Sequence, residues 1–103
     1  MSDRTRREEK EDVLVREKNE EPKKYKVLLL NDDYTTMEFV VWVLIHIFRH
    51  SQAAATRIML HIHHSGVGIA GVYSREVAET RMAQVHEAAT EAGHPLQCQI
   101  EPE

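Results

Sequence analysis

The feature that most constrains this chain is the junction over residues 29–40, where an apolar segment runs into an acidic turn and then into a second apolar segment. Tyr25–Leu30 is rich in aromatic, valine and leucine residues, so it is predicted to form a strand that ends at the turn-favouring triplet Asn31-Asp32-Asp33. Thr35 is the predicted N-cap of the following helix, because Glu38 lies three residues later, as in a capping box. The turn is thus held between two regular elements, and its three oxygen-bearing side chains can accept hydrogen bonds from a cation.

The charge distribution separates an N-terminal arm from a foldable region. Residues 1–24 hold eight basic and eight acidic side chains, and Val13-Leu14-Val15 is their only apolar run, which is too little to offset the entropy of ordering. We therefore predict a disordered arm over residues 1–24 and one domain over residues 25–103, which carries the whole formal charge of −4. An acidic domain without a basic stripe argues against nucleic acid as the main partner.

Two further features set expectations about the surroundings of the protein. Cys98 is the sole cysteine, so neither an internal disulfide nor a cysteine-based zinc site is expected, and a reducing, cytoplasmic setting is favoured. No apolar run reaches the roughly 18 to 20 residues of a membrane span, and the charged N-terminus does not resemble a signal peptide. We expect a cytoplasmic protein without a membrane partner.

Hydrophobic periodicity and capping residues predict three helices and two more strands after the junction. Ser51 and Ser74 are the predicted N-caps of the second and third helices, and Gly66 and Gly93 follow the ends of these helices. The predicted helices span residues 36–49, 52–64 and 75–92, and the predicted later strands span residues 67–73 and 96–100. The element order βααβαβ indicates an α+β fold, in which a small three-stranded antiparallel sheet carries the helices on one face.

Metal binding and catalysis are the weaker interpretations of the polar residues. Three histidines lie close together at His61, His63 and His64, but residues two apart point to different helix faces, so we expect exposed histidines, no metal and no other cofactor. A catalytic site would pair Asp32 or Asp33 with His63, without a serine, cysteine or metal partner to supply a nucleophile. We therefore expect a protein that is not an enzyme.

A binding pocket is another interpretation of the apolar residues next to the acidic turn. Met37 and Val40 share one face of the first predicted helix, Met59 and Ile62 share one face of the second, and Leu96 opens the last strand. If the two helices meet at the turn, these side chains surround a slot that has hydrogen-bond acceptors at its mouth. Spacing alone leaves an ordinary hydrophobic core as the alternative, and it favours that alternative.

The stretch YKVLLLNDDYTTMEFV, residues 25–40, closely resembles the ClpS adaptor family, the bacterial recognition component for N-degrons. Further blocks agree with the family in order and spacing: ATRIMLHIH at residues 55–63, and EVAET at residues 76–80 followed by HPLQC at residues 94–98. The resemblance covers essentially all of residues 25–101. It implies a βααβαβ domain that holds the first residue of a substrate protein in a pocket and hands the substrate to the ClpAP unfoldase-protease.

The resemblance also implies roles for individual side chains, by their positions in the matching motifs. The α-amino ligands of the family match Asn31, Asp33 and His63, with Asp32 beside them. The pocket wall for the first side chain matches Thr35, Met37, Val40, Met59, Ile62 and Leu96, with Leu29 at its base. The positions that dock on the N-terminal domain of the ClpA unfoldase match Glu76 and Arg81, and the arm matches the segment used in delivery.

The resemblance therefore implies a non-enzymatic adaptor that recognises N-terminal Leu, Phe, Tyr and Trp. The alternative is a regulatory module that docks on the same unfoldase and inhibits or redirects it without binding N-termini. Thr36 stands where the family usually has proline, and Ala70 stands where cysteine is common. Trp42 and Ile45 stand where relatives tend to carry polar residues, and we expect them to form an exposed apolar patch that supports weak self-association.

Overall fold

The computed structural model describes residues 22–103, and the predictions for residues 1–21, including the apolar run at residues 13–15, lie outside this range. Three strands and three helices follow one another in the predicted βααβαβ order. They are β1 (Lys24–Leu30), α1 (Met37–His46), α2 (Gln52–Ser65), β2 (Val67–Ser74), α3 (Arg75–Ala92) and β3 (Gln97–Pro102). Within the described residues, no helix combines the length and the apolar character that a membrane crossing requires.

β1 lies at the centre of a three-stranded sheet with the order β2-β1-β3, and it pairs antiparallel with both neighbours. The predicted α+β class and antiparallel sheet are thus confirmed. The β1–β2 register shifts between Val27 and Leu28, which makes Ala70 the extra residue of a β-bulge. His50 Nε2 donates a 2.6 Å hydrogen bond to the Ala70 carbonyl. A side chain from the connection between α1 and α2 thus stabilises the bulge.

Buried aliphatic side chains from the sheet and all three helices form one hydrophobic core. Val27 and Leu29 of β1 are fully buried, whereas the residues that alternate with them are only partly buried, so one face of the sheet carries the core. The helices contribute Val40, Val43, Leu44, Ala55, Met59, Ile62, Ala78, Val85 and Ala89. Cys98 of β3 is also in the core, and burial raises the pKa of its thiol to about 12, so the thiol is neutral.

Capping residues set the ends of α2 and α3 as the sequence predicts. The hydroxyls of Ser51 and Ser74 each accept a hydrogen bond from a backbone N–H three residues later. Gly66 and Gly93 follow the two helices with φ values of 90° and 76°, in the left-handed region that glycine enters without steric cost. The ends of α2 and α3 depend on residues close to them in the sequence, so hydrophobic periodicity and capping residues predict these ends correctly.

α1 differs from its prediction at both ends. Its N-cap is Thr36, whose Oγ1 accepts a 3.1 Å hydrogen bond from Phe39 N, and the prediction of Thr35 as the cap is wrong. The helix ends at His46 and not at Arg49, because Arg49 takes a left-handed φ of 62°. Neither glycine nor proline marks this end, and the apolar spacing continues beyond it, so the sequence pattern overestimates the helix.

Candidate functional site

A cleft of about 280 Å³ lies where the acidic turn meets α1 and α2. It is lined by Asn31, Asp32, Asp33, Thr35, Met37, Val40, Met59, Ile62 and His63. All nine residues belong to the set that the sequence assigns to the α-amino ligands or to the pocket wall. The fold therefore places side chains from residues 31–40 next to side chains from residues 59–63, which are well separated along the chain.

Asp32 organises the acidic turn through three hydrogen bonds. Its Oδ1 accepts from Tyr34 N at 2.8 Å and from Thr35 N at 2.7 Å, and its Oδ2 accepts from the Thr35 hydroxyl at 2.7 Å. Asn31 N also donates to the Gly66 carbonyl at 2.8 Å, which ties the turn to the end of α2. Thr35 is part of this turn, since its hydroxyl donates to Asp32, and the oxygen that accepts the capping hydrogen bond from Phe39 N belongs to Thr36.

The surroundings of Asp32 lower the pKa of its carboxyl below the ordinary value of 3.8 for an aspartate. Partial burial raises this pKa, but the hydrogen bonds from Thr35 and Tyr34, together with the charge of His94, outweigh burial. Asp32 is therefore ionised at neutral pH and uses both oxygens inside the turn. Asp33 is exposed, so its carboxylate stands at the cleft and in contact with solvent.

The lowered pKa of Asp32 predicts that the turn loses stability in acid. This contribution is present above the unfolded pKa near 3.8 and is lost as the pH falls through the lower folded pKa. We expect Asp32→Asn, which keeps an acceptor oxygen but does not titrate, to show a flatter fall of unfolding free energy between about pH 5 and pH 2. Urea unfolding at a series of pH values measures the difference. Equal profiles for the two proteins would show that Asp32 does not anchor the turn.

Apolar side chains of α1 and α2 form the inner wall of the cleft. Val40, Met59 and Ile62 are all buried, whereas Met37 is 45% exposed. Behind the wall, Gly68 of β2 packs directly on Ile62: a Cβ at this glycine would lie 2.6 Å from Ile62 Cγ1. The missing side chain at residue 68 therefore allows the sheet to approach α2 and sets the position of the wall.

The polar groups at the cleft complement a cation. His63 is exposed in the last turn of α2, with its ring centre 5.7 Å from that of His64. A neutral imidazole nitrogen, the amide oxygen of Asn31 and the carboxylate of Asp33 are all hydrogen-bond acceptors. The cleft thus combines acceptors, one of them anionic, with an apolar wall. This combination suits a ligand that carries an ammonium group next to an apolar side chain.

Four of the residues implied by the resemblance do not line the cleft. Leu29 and Leu96 are 0% and 4% exposed and belong to the core. Glu76 is exposed in the first turn of α3. Arg81, further along α3, is half-buried, and its guanidinium carbon lies 5.9 Å from the centre of the Tyr73 ring. Glu76 and Arg81 therefore lie on α3, outside the cleft.

Trp42 is exposed, as predicted, but it stacks with other aromatic rings and not with Ile45. Its ring centre lies 5.9 Å from that of Phe39 and 4.8 Å from that of His46. The ring centre of Phe39 in turn lies 4.6 Å from that of His94. Ile45 is partly buried against the core, which corrects the expectation of a joint patch. The spacing of residues 39, 42 and 46 on one helix could have indicated the stack, whereas the contact with His94 depends on the tertiary fold.

A second groove on the surface of residues 22–103 is less suited to a cation than the cleft. A larger open groove of about 610 Å³ is lined by Lys26, Leu28, Arg57, Ile58, His61, Val67, Gly68, Ile69 and Glu101. Its acidic group is already paired, since Glu101 lies 3.3 Å from Lys26 Nζ. Over residues 22–103, no group of three or more His, Cys, Asp or Glu side chains is placed to hold a metal ion.

Sequence comparison identifies the family. Residues 20–99 match the family profile described as ATP-dependent Clp protease adaptor protein ClpS. The chain belongs to the ClpS family. The ClpS adapter of Maricaulis maris is 61% identical over 89 residues, which make up 86% of this chain and 82% of that protein. The ClpS adapter of Caulobacter vibrioides strain NA1000 is 58% identical over 87 residues, 84% of this chain and 80% of that protein.

A solved ClpS structure has the same fold. ClpS2 of Agrobacterium tumefaciens, bound to L-phenylalaninamide, matches this chain with a TM-score of 0.77 and 44% identity. The match covers 81% of this chain and 100% of the ClpS2 chain. The resemblance to ClpS found in the sequence is thus confirmed, and with it the role of an adaptor of the ATP-dependent Clp protease. ClpS proteins are adaptors and not a catalytic family.

Proposed function

We propose that this ClpS chain binds the free α-amino group and the large hydrophobic side chain of an N-terminal Leu, Phe, Tyr or Trp, and delivers the substrate to the ClpA unfoldase for degradation by ClpAP. The observation that carries the proposal is the cleft, in which acceptors and an apolar wall stand together. Asn31, Asp33 and His63 contact the ammonium, and Asp32 holds the turn that positions them. The side chain of the substrate lies against the apolar wall.

The chemistry of the ligand accounts for selectivity toward chain termini. An α-ammonium has three N–H donors and a positive charge, which match the three acceptors and the carboxylate of Asp33. A residue inside a chain offers a single uncharged amide N–H, so two acceptors lose their partner. Burial of a leucine or aromatic side chain adds about 1.5 to 3 kcal/mol, so tight binding needs both the free terminus and the apolar side chain.

The ligand of the Agrobacterium protein supports the same chemistry. L-Phenylalaninamide carries a free α-amino group and an aromatic side chain, and it is bound to ClpS2, which shares 44% of its residues with this chain. The two halves of that molecule correspond to the two halves of the cleft. The family role as a Clp protease adaptor gives such binding a purpose, because an adaptor must select its substrates.

Delivery requires a second surface and the arm. We assign docking on the N-terminal domain of ClpA to Glu76 and Arg81 of α3, which do not line the cleft, so peptide and unfoldase can be held at the same time. Residues 1–24 serve in delivery. The setting is the cytoplasm, where ClpAP acts on its substrates.

A labelled peptide separates this proposal from the regulatory alternative. A fluorescent peptide that begins with Leu should bind, and the same peptide with Gly placed before the Leu should bind much more weakly, as measured by fluorescence anisotropy. The ClpA N-terminal domain should bind the same preparation. Binding of the unfoldase domain without any binding of the Leu peptide would support a module that docks and regulates without recognising N-termini.

Met37 should restrict which side chains enter the cleft. Its thioether crowds a side chain branched at Cβ more than one branched at Cγ, and crowding of this kind costs about 1 to 3 kcal/mol. We expect Met37→Ala to improve binding of Ile- and Val-starting peptides by at least about fivefold. Anisotropy titrations with Leu, Ile and Val peptides measure the change. The matched control is Leu60→Ala, because Leu60 is exposed, close to methionine in size and outside the cleft. Unchanged Ile and Val affinities would place the selectivity elsewhere.

A further inference from the structure

The largest aromatic side chain of the protein stands on the surface, outside the cleft. Trp42, the single tryptophan of the chain, is 45% exposed, and its ring is held in the stack that runs from His46 to Phe39 and His94. The stacked rings therefore present a partly exposed apolar face on which another apolar segment can pack. The groove beside Trp42 indicates which kind of segment fits there.

Trp42 borders a groove of about 250 Å³ between α1 and α3. The groove is lined by Trp42, His46, Ile47, Arg49, Arg81, Gln84, Glu87, Ala88 and Glu91. Apolar atoms of Trp42 and Ala88 lie among charged groups of both signs, from the two arginines and the two glutamates. A segment that fills the groove should thus combine a short apolar run with flanking charges of both signs.

The N-terminal arm contains one segment with this composition. Val13-Leu14-Val15 is the only apolar run in residues 1–21, and Asp12 and Arg16 flank it with one charge of each sign. Three aliphatic side chains suit a groove of this size, whereas a folded partner would need a larger interface. The composition of residues 12–16, an apolar run flanked by charges of both signs, therefore matches the lining of the groove.

The point at which the arm joins the described chain lies within reach of the groove. Lys24 pairs with Ser74, the residue that caps α3, and Ala88 lies 14 residues along that helix, or about 21 Å at 1.5 Å per residue. Val15 lies nine positions before Lys24, and an extended chain of nine residue steps spans up to about 30 Å. The linking residues are therefore long enough to bring the apolar run to Trp42.

We propose that Val13-Leu14-Val15 of the arm packs on Trp42 in the groove between α1 and α3 of the same molecule. A segment tethered this closely meets its site at an effective concentration on the order of millimolar, far above that of a second copy in dilute solution. Tethering therefore favours occupancy of the groove by the arm of the same molecule over occupancy by a second copy. This holds even though so short an apolar run is a weak ligand when free. The contact and its test require neither peptide nor unfoldase, although Arg81 lines this groove and is also assigned to ClpA docking.

The lone tryptophan makes the contact directly measurable. We compare acrylamide quenching and the emission maximum of Trp42 in three full-length proteins at fixed pH: the native chain, Val13→Ser/Leu14→Ser/Val15→Ser, and the matched control Arg6→Ser/Arg7→Ser/Glu8→Ser. All three keep the same length, and residues 22–103 are unaltered. We expect the first variant to raise the quenching constant about twofold and to shift the emission maximum to the red, because release of the tethered segment exposes the Trp42 ring to acrylamide and water. The control should match the native chain.

Each other outcome overturns the proposal. Equal quenching in all three proteins would show that the arm does not cover Trp42. An equal rise in both variants would show a nonspecific effect of the arm. A difference that disappears on dilution of the native chain would assign the cover to a second copy, because contact within one molecule does not depend on concentration.

Discussion

Asp33→Asn should weaken binding of a Leu-starting peptide by about 10- to 150-fold, the equivalent of a hydrogen bond to a charged group at about 1.5 to 3 kcal/mol. The substitution keeps the shape of the side chain and an acceptor oxygen, but it removes the only exposed carboxylate that lines the cleft beside Asn31 and His63. Asp33 stands apart from the internal bonds of the turn, which Asp32 makes. The fold should therefore be unaffected, and the loss should appear in affinity alone.

The control for Asp33→Asn must remove the same charge at a distance from the cleft. Glu101→Gln does so, because Glu101 lies near the end of β3 opposite Lys26 and does not line the cleft. Its ion pair with Lys26 is exposed, so its loss should cost little stability. We expect native peptide affinity for this variant in anisotropy titrations. Equal weakening by both variants would reduce the role of Asp33 to a general contribution of negative charge.

Gly68→Ala should disturb the cleft by displacing Ile62, a side chain of its apolar wall. The new Cβ would lie 2.6 Å from Ile62 Cγ1, so Ile62 must move or the strand must withdraw. Overpacking of this kind costs about 1 to 3 kcal/mol of unfolding free energy. Because Ile62 is both buried and part of the cleft wall, we expect the variant to lose peptide affinity as well as stability, although residue 68 itself does not line the cleft.

Two comparisons make the Gly68→Ala result specific. Ile69→Ala, at the next position of β2, alters an exposed side chain and should change stability and peptide affinity by no more than about 0.5 kcal/mol. In an Ile62→Ala background, Gly68→Ala should cost less, since the clashing side chain is gone and neighbouring changes are coupled. Urea unfolding and peptide titration measure both quantities. A fall in stability with unchanged affinity would exclude Ile62 from the peptide pocket.

The sequence predicted the fold where the determinants are local. Ser51, Ser74, Gly66 and Gly93 act on residues within a few positions of themselves, and the helix ends they mark agree with the structure to within one residue. The end of α1 was mispredicted because Arg49 adopts a left-handed φ without a glycine to signal it. The strand limits differ from prediction by one or two residues, since pairing with neighbouring strands decides where a strand ends.

The composition of the cleft was also largely predictable, but only through the family resemblance. Periodicity alone left Met37, Val40, Met59 and Ile62 as core or pocket, because a helix face gives no information about which neighbour covers it. The structure places these residues in one cleft with the acidic turn, whereas it places Leu29 in the core. The role of Asp32 was not evident, since two adjacent aspartates look alike in sequence until the hydrogen bonds of the turn distinguish them.

Recognition of a free N-terminus is tested most directly by blocking the α-amino group of the ligand. Two peptides with the same Leu-starting sequence and a fluorophore at the C-terminus, one with a free N-terminus and one N-acetylated, are titrated with the native chain. We expect acetylation to weaken binding by at least about tenfold, because it removes the charge and two of the three N–H donors that the proposed site would bind through Asn31, Asp33 and His63. Equal affinity for the two peptides would contradict the recognition of a free N-terminus.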